Sequence, residues 1–140
     1  MSVPAAVAHN HVRLTWRRRL LAMIAVGTAR ILARRPPRRI RAVLEKCRIG
    51  ARPADYPQAS AARQAVVAVS VLCAGEGCLQ RSIATALLCR LSGTWPTWQV
   101  GVRVDPFAAH AWVEADGRLV DEPQPPGAYR PIMSVHPLPA

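Results

Sequence analysis

The order of hydrophobic patterns predicts an α+β fold, with N-terminal helices followed by a small antiparallel sheet. Three observations carry this. Apolar residues recur at helical spacing from Leu14 to Ala33, Arg38 to Arg48, Gln58 to Ala74 and Leu79 to Leu91. From Trp98 to Val104 the pattern changes to alternation, with Trp98, Val100, Val102 and Val104 on one face, as in a half-buried strand. Asp116-Gly117 then separates two short strand patterns, His110 to Ala115 and Arg118 to Asp121, and Asp-Gly between such runs is a strong hairpin signal. Helices first and strands after, with no internal repeat, is the α+β order.

Each element has a local reason. Thr15 is placed to cap the first helix. Its apolar run, Leu20 to Ala29, is too short to span a bilayer. Arg17-Arg18-Arg19 before Leu20-Leu21 mimics a secretory or twin-arginine signal, but Arg30, Arg34 and Arg35 follow at once with no small-residue cleavage site. A helix packing its apolar face, Leu20, Leu21 and Ile24, on the domain is expected instead. Pro36-Pro37 ends it, because proline lacks the N–H and clashes with the preceding turn. Ile40, Val43, Leu44 and Cys47 share one face of the second helix. The run Ala65 to Ala74 predicts a third helix buried on most sides. Beyond Glu122 the proline-rich sequence has no period and reads as coil.

At 140 residues and 51% apolar, the chain is one domain with a core of its own. Within it the sequence divides into a basic helical N-terminal extension (1–52), a core (53–125) and a proline-rich tail (126–140). Charge marks the first boundary. Residues 1–52 hold twelve arginines and Lys46 against one acid, Glu45, whereas residues 53–140 hold six bases against seven acids. An acidic partner for the N-terminal segment is the physical implication. The segment lacks the interleaved aromatics of a single-strand stacking surface and any recognisable nucleic-acid motif, so nucleic acid is not expected. An anionic membrane surface is among the partners it allows; a solvated arginine-rich helix is the plain alternative.

The four cysteines, Cys47, Cys73, Cys78 and Cys89, do not have the spacing of a disulfide scaffold. A zinc site from Cys73, Cys78, Cys89 and His110 lacks a CxxC pair. Cys89 also lies about three helical turns, roughly 16 Å, from Cys78. No metal and no cofactor is expected. Cys47, Cys73 and Cys89 read as small buried hydrophobes.

Cys78 differs. Gly75-Glu76-Gly77 breaks the chain directly before it, and Cys78 opens a helix. Unpaired N–H groups and the positive dipole end there favour thiolate, which is the nucleophile. His110, at the start of a strand, is the candidate base. An acid must then orient the imidazole. An uninterrupted hairpin register pairs Ala115 with Arg118 and Trp112 with Asp121, which puts Asp121 on the face of His110. Glu122 falls on the other face unless a bulge shifts the register. The expected triad is Cys78, His110 and Asp121, with Glu122 the alternative.

Two blocks carry a resemblance: Cys78-Leu79-x-Arg81-Ser82, and Gly101-Val102-x(7)-His110-Ala111-Trp112-Val113-Glu114-x-Asp116-Gly117. Together, over roughly residues 60–125, they resemble the transglutaminase-like leader peptidases of lasso-peptide biosynthesis, the microcin-processing family. The resemblance implies a papain-like/transglutaminase-like fold. It also implies a bacterial, cytoplasmic cysteine peptidase that removes the leader from a ribosomally made precursor peptide. The core peptide then passes to an ATP-dependent, asparagine-synthetase-like lasso cyclase. Carried over, Cys78 is the nucleophile and His110 the base, while the acid falls at Asp121 or Glu122. Residues before 58 read as basic helices, not as a winged-helix leader-recognition domain, so a separate recognition protein is implied. Another transglutaminase-like amidase or acyltransferase, or a non-catalytic binding module of the same fold, are the other readings.

Overall fold

The protein is described from a computed structural model over residues 13–75 and 77–139. Thr15 caps the first helix, α1 (Trp16–Leu32), accepting from the Arg18 N–H at 3.2 Å. Its core face is built of small residues: Ala22, Ala25 and Ala29, with Val26 and Leu32. That corrects the expected packing face in part, since Leu20 and Ile24 are exposed while Leu21 does pack against the core. Alanines let α1 lie close against two further helices, α3 (Tyr56–Val69) and α5 (Cys78–Leu91). Between them in sequence, α2 (Pro37–Cys47) starts with proline at a position whose N–H needs no partner. It buries Ile40 and Leu44.

Asp55 and Gln58 form a reciprocal capping box at the start of α3. This helix is shorter than its hydrophobic run. Ser70 turns extended (φ −135, ψ 115), and its hydroxyl accepts from the Cys73 N–H to open a separate short helix, α4 (Val71–Ala74). Serine's competition for backbone hydrogen bonds explains the break. Val71 consequently faces solvent.

Strand β1 (Arg52–Pro53) pairs in parallel with β2 (Thr94–Trp95). The main sheet is antiparallel, in the order β5-β4-β3-β6, from β3 (Thr97–Arg103), β4 (Ala108–Ala115), β5 (Arg118–Leu119) and β6 (Arg130–Val135). The last strand corrects the expectation of coil beyond Glu122. A six-residue stretch after Tyr129 extends the sheet at the far edge of β3. Pro131 is tolerated there because an edge strand has one side without ladder partners.

One face of the sheet, with Trp98, Val113, Ala115 and Val135, closes over the helices in a single core. The Trp98 indole donates to Ser82 Oγ on α5 at 3.0 Å, and the Trp95 indole donates to the Val135 carbonyl at 3.2 Å. Both rings are almost fully buried, so each combines a large apolar area with a satisfied polar edge. α1 lines the same core as α5, and β6 belongs to the main sheet. The result is an α+β fold in which one helix start meets one strand edge.

Candidate active site

Cys78 is the first residue of α5. Its N-cap, Gly77, supplies no side-chain hydrogen bond, so no side chain occupies the N–H groups of the first turn. Arg81, one turn on, donates to the carbonyls of Cys73 and Gly75, each at 3.0 Å. The arginine thereby ties down the chain leading into Cys78. Ser82 accepts from Trp98 and donates to the Leu79 carbonyl at 2.9 Å, fixing the helix against the sheet. The arginine and serine of the Cys-Leu-x-Arg-Ser block thus hold the cysteine in place.

His110 lies on β4, opposite Gly101 on β3. A Cβ at Gly101 would lie 2.7 Å from the Trp112 ring and 2.9 Å from the Arg130 carbonyl, so Trp112 occupies the space that glycine leaves. The His110 ring stacks near-parallel to Trp112, with centroids 5.9 Å apart, and Tyr129 packs beside it at 5.2 Å. Strand β5 pairs only with Glu114 and Ala115, which leaves the β4 edge open beyond it. There the Cys78 sulfur faces the His110 ring and the Ala111 backbone N–H, both of which favour its charged form. Cys78 and His110 therefore meet as the sequence indicated.

The carboxylate beside the imidazole is that of Glu122, the alternative, and not that of Asp121. His110 Nε2 lies 2.9 Å from Glu122 Oε2, in a carboxylate whose side chain is only 2% exposed. Asp121 points elsewhere, accepting from Tyr56 Oη at 3.0 Å and Ser60 Oγ at 2.7 Å on α3. The register explains the exchange. Ala115 pairs with Arg118 and Glu114 with Leu119 as expected, and the Val120 N–H still reaches the Val113 carbonyl at 3.1 Å. Asp121 then adopts a left-handed conformation, φ 49, which ends the ladder and swings the next residue onto the His110 face. Asp and Asn tolerate that region better than most residues. Asp116 caps the arrangement from the turn, accepting from the Tyr56 N–H at 2.8 Å.

Two contributing residues had no part in the sequence expectation. Arg63 on α3 places Nη2 3.7 Å from Glu122 Oε1, an ion-pair distance rather than a direct hydrogen bond. A lone arginine in an alanine- and valine-rich helix was the available signal. Tyr129 sits in the segment read as coil, where nothing in the local pattern marks it.

The electrostatics follow from these contacts. The hydrogen bond from His110 is the largest influence on Cys78 and lowers its thiol pKa despite partial burial. The same hydrogen bond, followed by that to Glu122, raises His110 to about 9 against the opposing effect of burial. Each group thus favours the charged form of the other, thiolate at Cys78 and imidazolium at His110. The remaining cysteines contrast with this. Burial pushes Cys89 up to about 12 and raises Cys47, while Cys73 is fully buried. All four are free thiols. Among the described residues, no group of three or more His, Cys, Asp and Glu side chains is placed to hold a metal. A cleft of about 490 Å³ is bordered by Trp112, Glu114, Arg118, Glu122 and Tyr129, and His110 is not among its lining residues. Cys78 does not border it.

A cysteine at a helix start, a strand histidine and a buried carboxylate behind it are the parts of a thiol acyl-transfer site. A family model described as the transglutaminase-like superfamily matches residues 22–134, and the chain belongs to that superfamily. The match begins inside α1 and ends inside β6, so it spans both the N-terminal helices and the last strand. No curated protein and no solved structure matches the chain.

Proposed function

We propose that the protein is a cysteine peptidase that removes the leader from a ribosomally synthesised lasso-peptide precursor before macrolactam formation. The observation that carries the enzymatic part is the chain of contacts Cys78, His110, Glu122. Superfamily membership supports a cysteine peptidase or a related acyl transfer, and the resemblance of the two sequence blocks around Cys78 and His110 supports leader removal. The Cys78 thiolate attacks the carbonyl carbon of the scissile amide. N–H groups at the start of α5 steady the oxyanion. The His110 imidazolium donates its proton to the departing amine, leaving a thioester on Cys78. Neutral His110 then takes a proton from water, whose oxygen displaces the thiol and releases the leader carboxylate. Glu122 holds Nε2–H, so that Nδ1 is the nitrogen facing sulfur.

The partners in this reading are the precursor's leader region, a separate winged-helix recognition protein and the ATP-dependent cyclase, in the cytoplasm. Among the described residues, no helix is long and apolar enough to cross a membrane. The test is incubation of the chain with purified precursor and recognition protein, read by mass spectrometry. Cleavage at the leader–core junction that disappears in Cys78→Ala supports the proposal. An intact precursor beside a rapidly alkylated Cys78 points to a different amide substrate. A Cys78 that resists alkylation points to a binding module.

A further inference from the structure

Helix α1 has two apolar faces, and only one is used by the fold. The small residues Ala22, Ala25 and Ala29 face the core, together with Val26 and Leu32. Trp16, Leu20, Met23, Ile24 and Ile31 are 50% to 72% exposed. At about 100° per residue, these five large side chains fall in one arc of about 100°, centred opposite the buried face. The stripe is therefore the outermost line of the helix, dense from Trp16 to Ile24 and resumed at Ile31 beyond Gly27. Core packing does not explain it, because the fold already buries the opposite face from Ala22 to Leu32.

Charge identifies what would cover it. On the same helical projection Arg17 borders one side of the stripe, and Arg19 and Arg30 border the other. All three are exposed, and no carboxylate among the described residues lies at ion-pair distance from any of them. Exposed Arg38 and Arg39 follow on α2, where Arg41 is paired with Glu45, and the sequence holds no acid before Glu45. Tryptophan and aliphatic side chains along a ridge, with arginines at both margins, is the pattern of a helix lying in a membrane interface. The arginines match anionic headgroups and the ridge enters the acyl boundary. From this complementarity we infer that α1 docks the protein on an anionic phospholipid surface, through the stripe from Trp16 to Ile31. The inference is independent of the reaction at Cys78.

The experiment is sedimentation of the full chain with vesicles of phosphatidylcholine containing roughly 30% phosphatidylglycerol, against pure phosphatidylcholine. Partition at least about tenfold stronger to the anionic vesicles is expected. Trp16 reports insertion directly, because Trp95, Trp98 and Trp112 are buried. Its emission should shift to the blue, and Trp16→Phe should remove that shift. Leu20→Ser/Ile24→Ser should abolish partition, and Arg17→Gln/Arg19→Gln/Arg30→Gln should weaken it about a hundredfold. Unchanged Cys78 alkylation in both variants shows that they are folded. The wild-type vesicle comparison stands without any variant. Absent partition, or equal partition to both vesicles with the arginine variant unaffected, overturns the inference. So does a concentration-dependent dimer that Leu20→Ser/Ile24→Ser dissolves while vesicles are ignored, which would assign the stripe to a second copy. Binding of the stripe to the purified recognition protein in place of vesicles would overturn it equally.

Discussion

At the residue scale, the two neighbouring acids separate by role. Glu122 touches the imidazole, whereas Asp121 fastens the end of the hairpin to Tyr56 and Ser60 on α3. Glu122→Gln should lower precursor cleavage by about a hundredfold or more, because the amide can present its donor to Nε2 and favour the wrong tautomer. Asp121→Asn keeps an acceptor oxygen and should cost about 1 kcal/mol of stability through a weakened hydrogen bond, with a far smaller loss of turnover. Parallel kinetics and urea melts of the two variants check both; the reverse ranking would place the catalytic acid at Asp121. Arg63 acts through Glu122. Arg63→Gln should lower kcat while leaving KM near wild type, and Arg63→Lys should restore part of the loss. A KM effect alone would assign Arg63 to substrate binding. The candidate cysteine and histidine were legible because glycines before Cys78 and alternation around His110 are local signals. The acid was not, because its side depends on one positive φ at Asp121, and no spacing rule announces where a ladder stops.

At the scale of elements, the helix–strand order, the Thr15 cap and the Asp116-Gly117 hairpin could all be read, since each rests on residues adjacent in sequence. What could not be read came from packing. Hydrophobicity favours Leu20 and Ile24 as the inner face of α1, but close helix contact selects Ala22, Ala25 and Ala29 instead. The strand β6 was hidden by prolines, which only an edge position tolerates. The joint between β3 and β4 gives a sharp test. Gly101→Ala puts a methyl into the Trp112 ring and the Arg130 carbonyl. Overpacking of this kind costs about 1–3 kcal/mol, and a displaced Trp112 disturbs its stack with His110. Gly101→Ala should therefore lower both the urea midpoint and turnover. Wild-type stability and turnover in that variant would mean that Trp112 yields freely and does not hold the histidine.

At the scale of the whole molecule, helices and sheet share one core, and the residues after Pro125 are part of it. They bring Tyr129 beside His110, and they set Val135 opposite Trp98 with its carbonyl accepting from the Trp95 indole. Deleting residues 126–140 should abolish cooperative unfolding, because the outer edge of β3 and the buried Trp95 N–H lose their partners. A truncated chain that melts cooperatively would instead make the last strand an accessory. The central claim is that the fold delivers a thiolate at Cys78 by setting His110 against it. Its most direct test is the pH dependence of iodoacetamide alkylation at Cys78, resolved by peptide mass spectrometry in wild type and His110→Ala. Wild type should show a midpoint clearly below the ordinary 9.0. In His110→Ala the strongest lowering influence is gone and burial remains, so the midpoint should move up to that value or beyond it. A wild-type midpoint at or above 9.0, or one that His110→Ala leaves unmoved, would contradict the account.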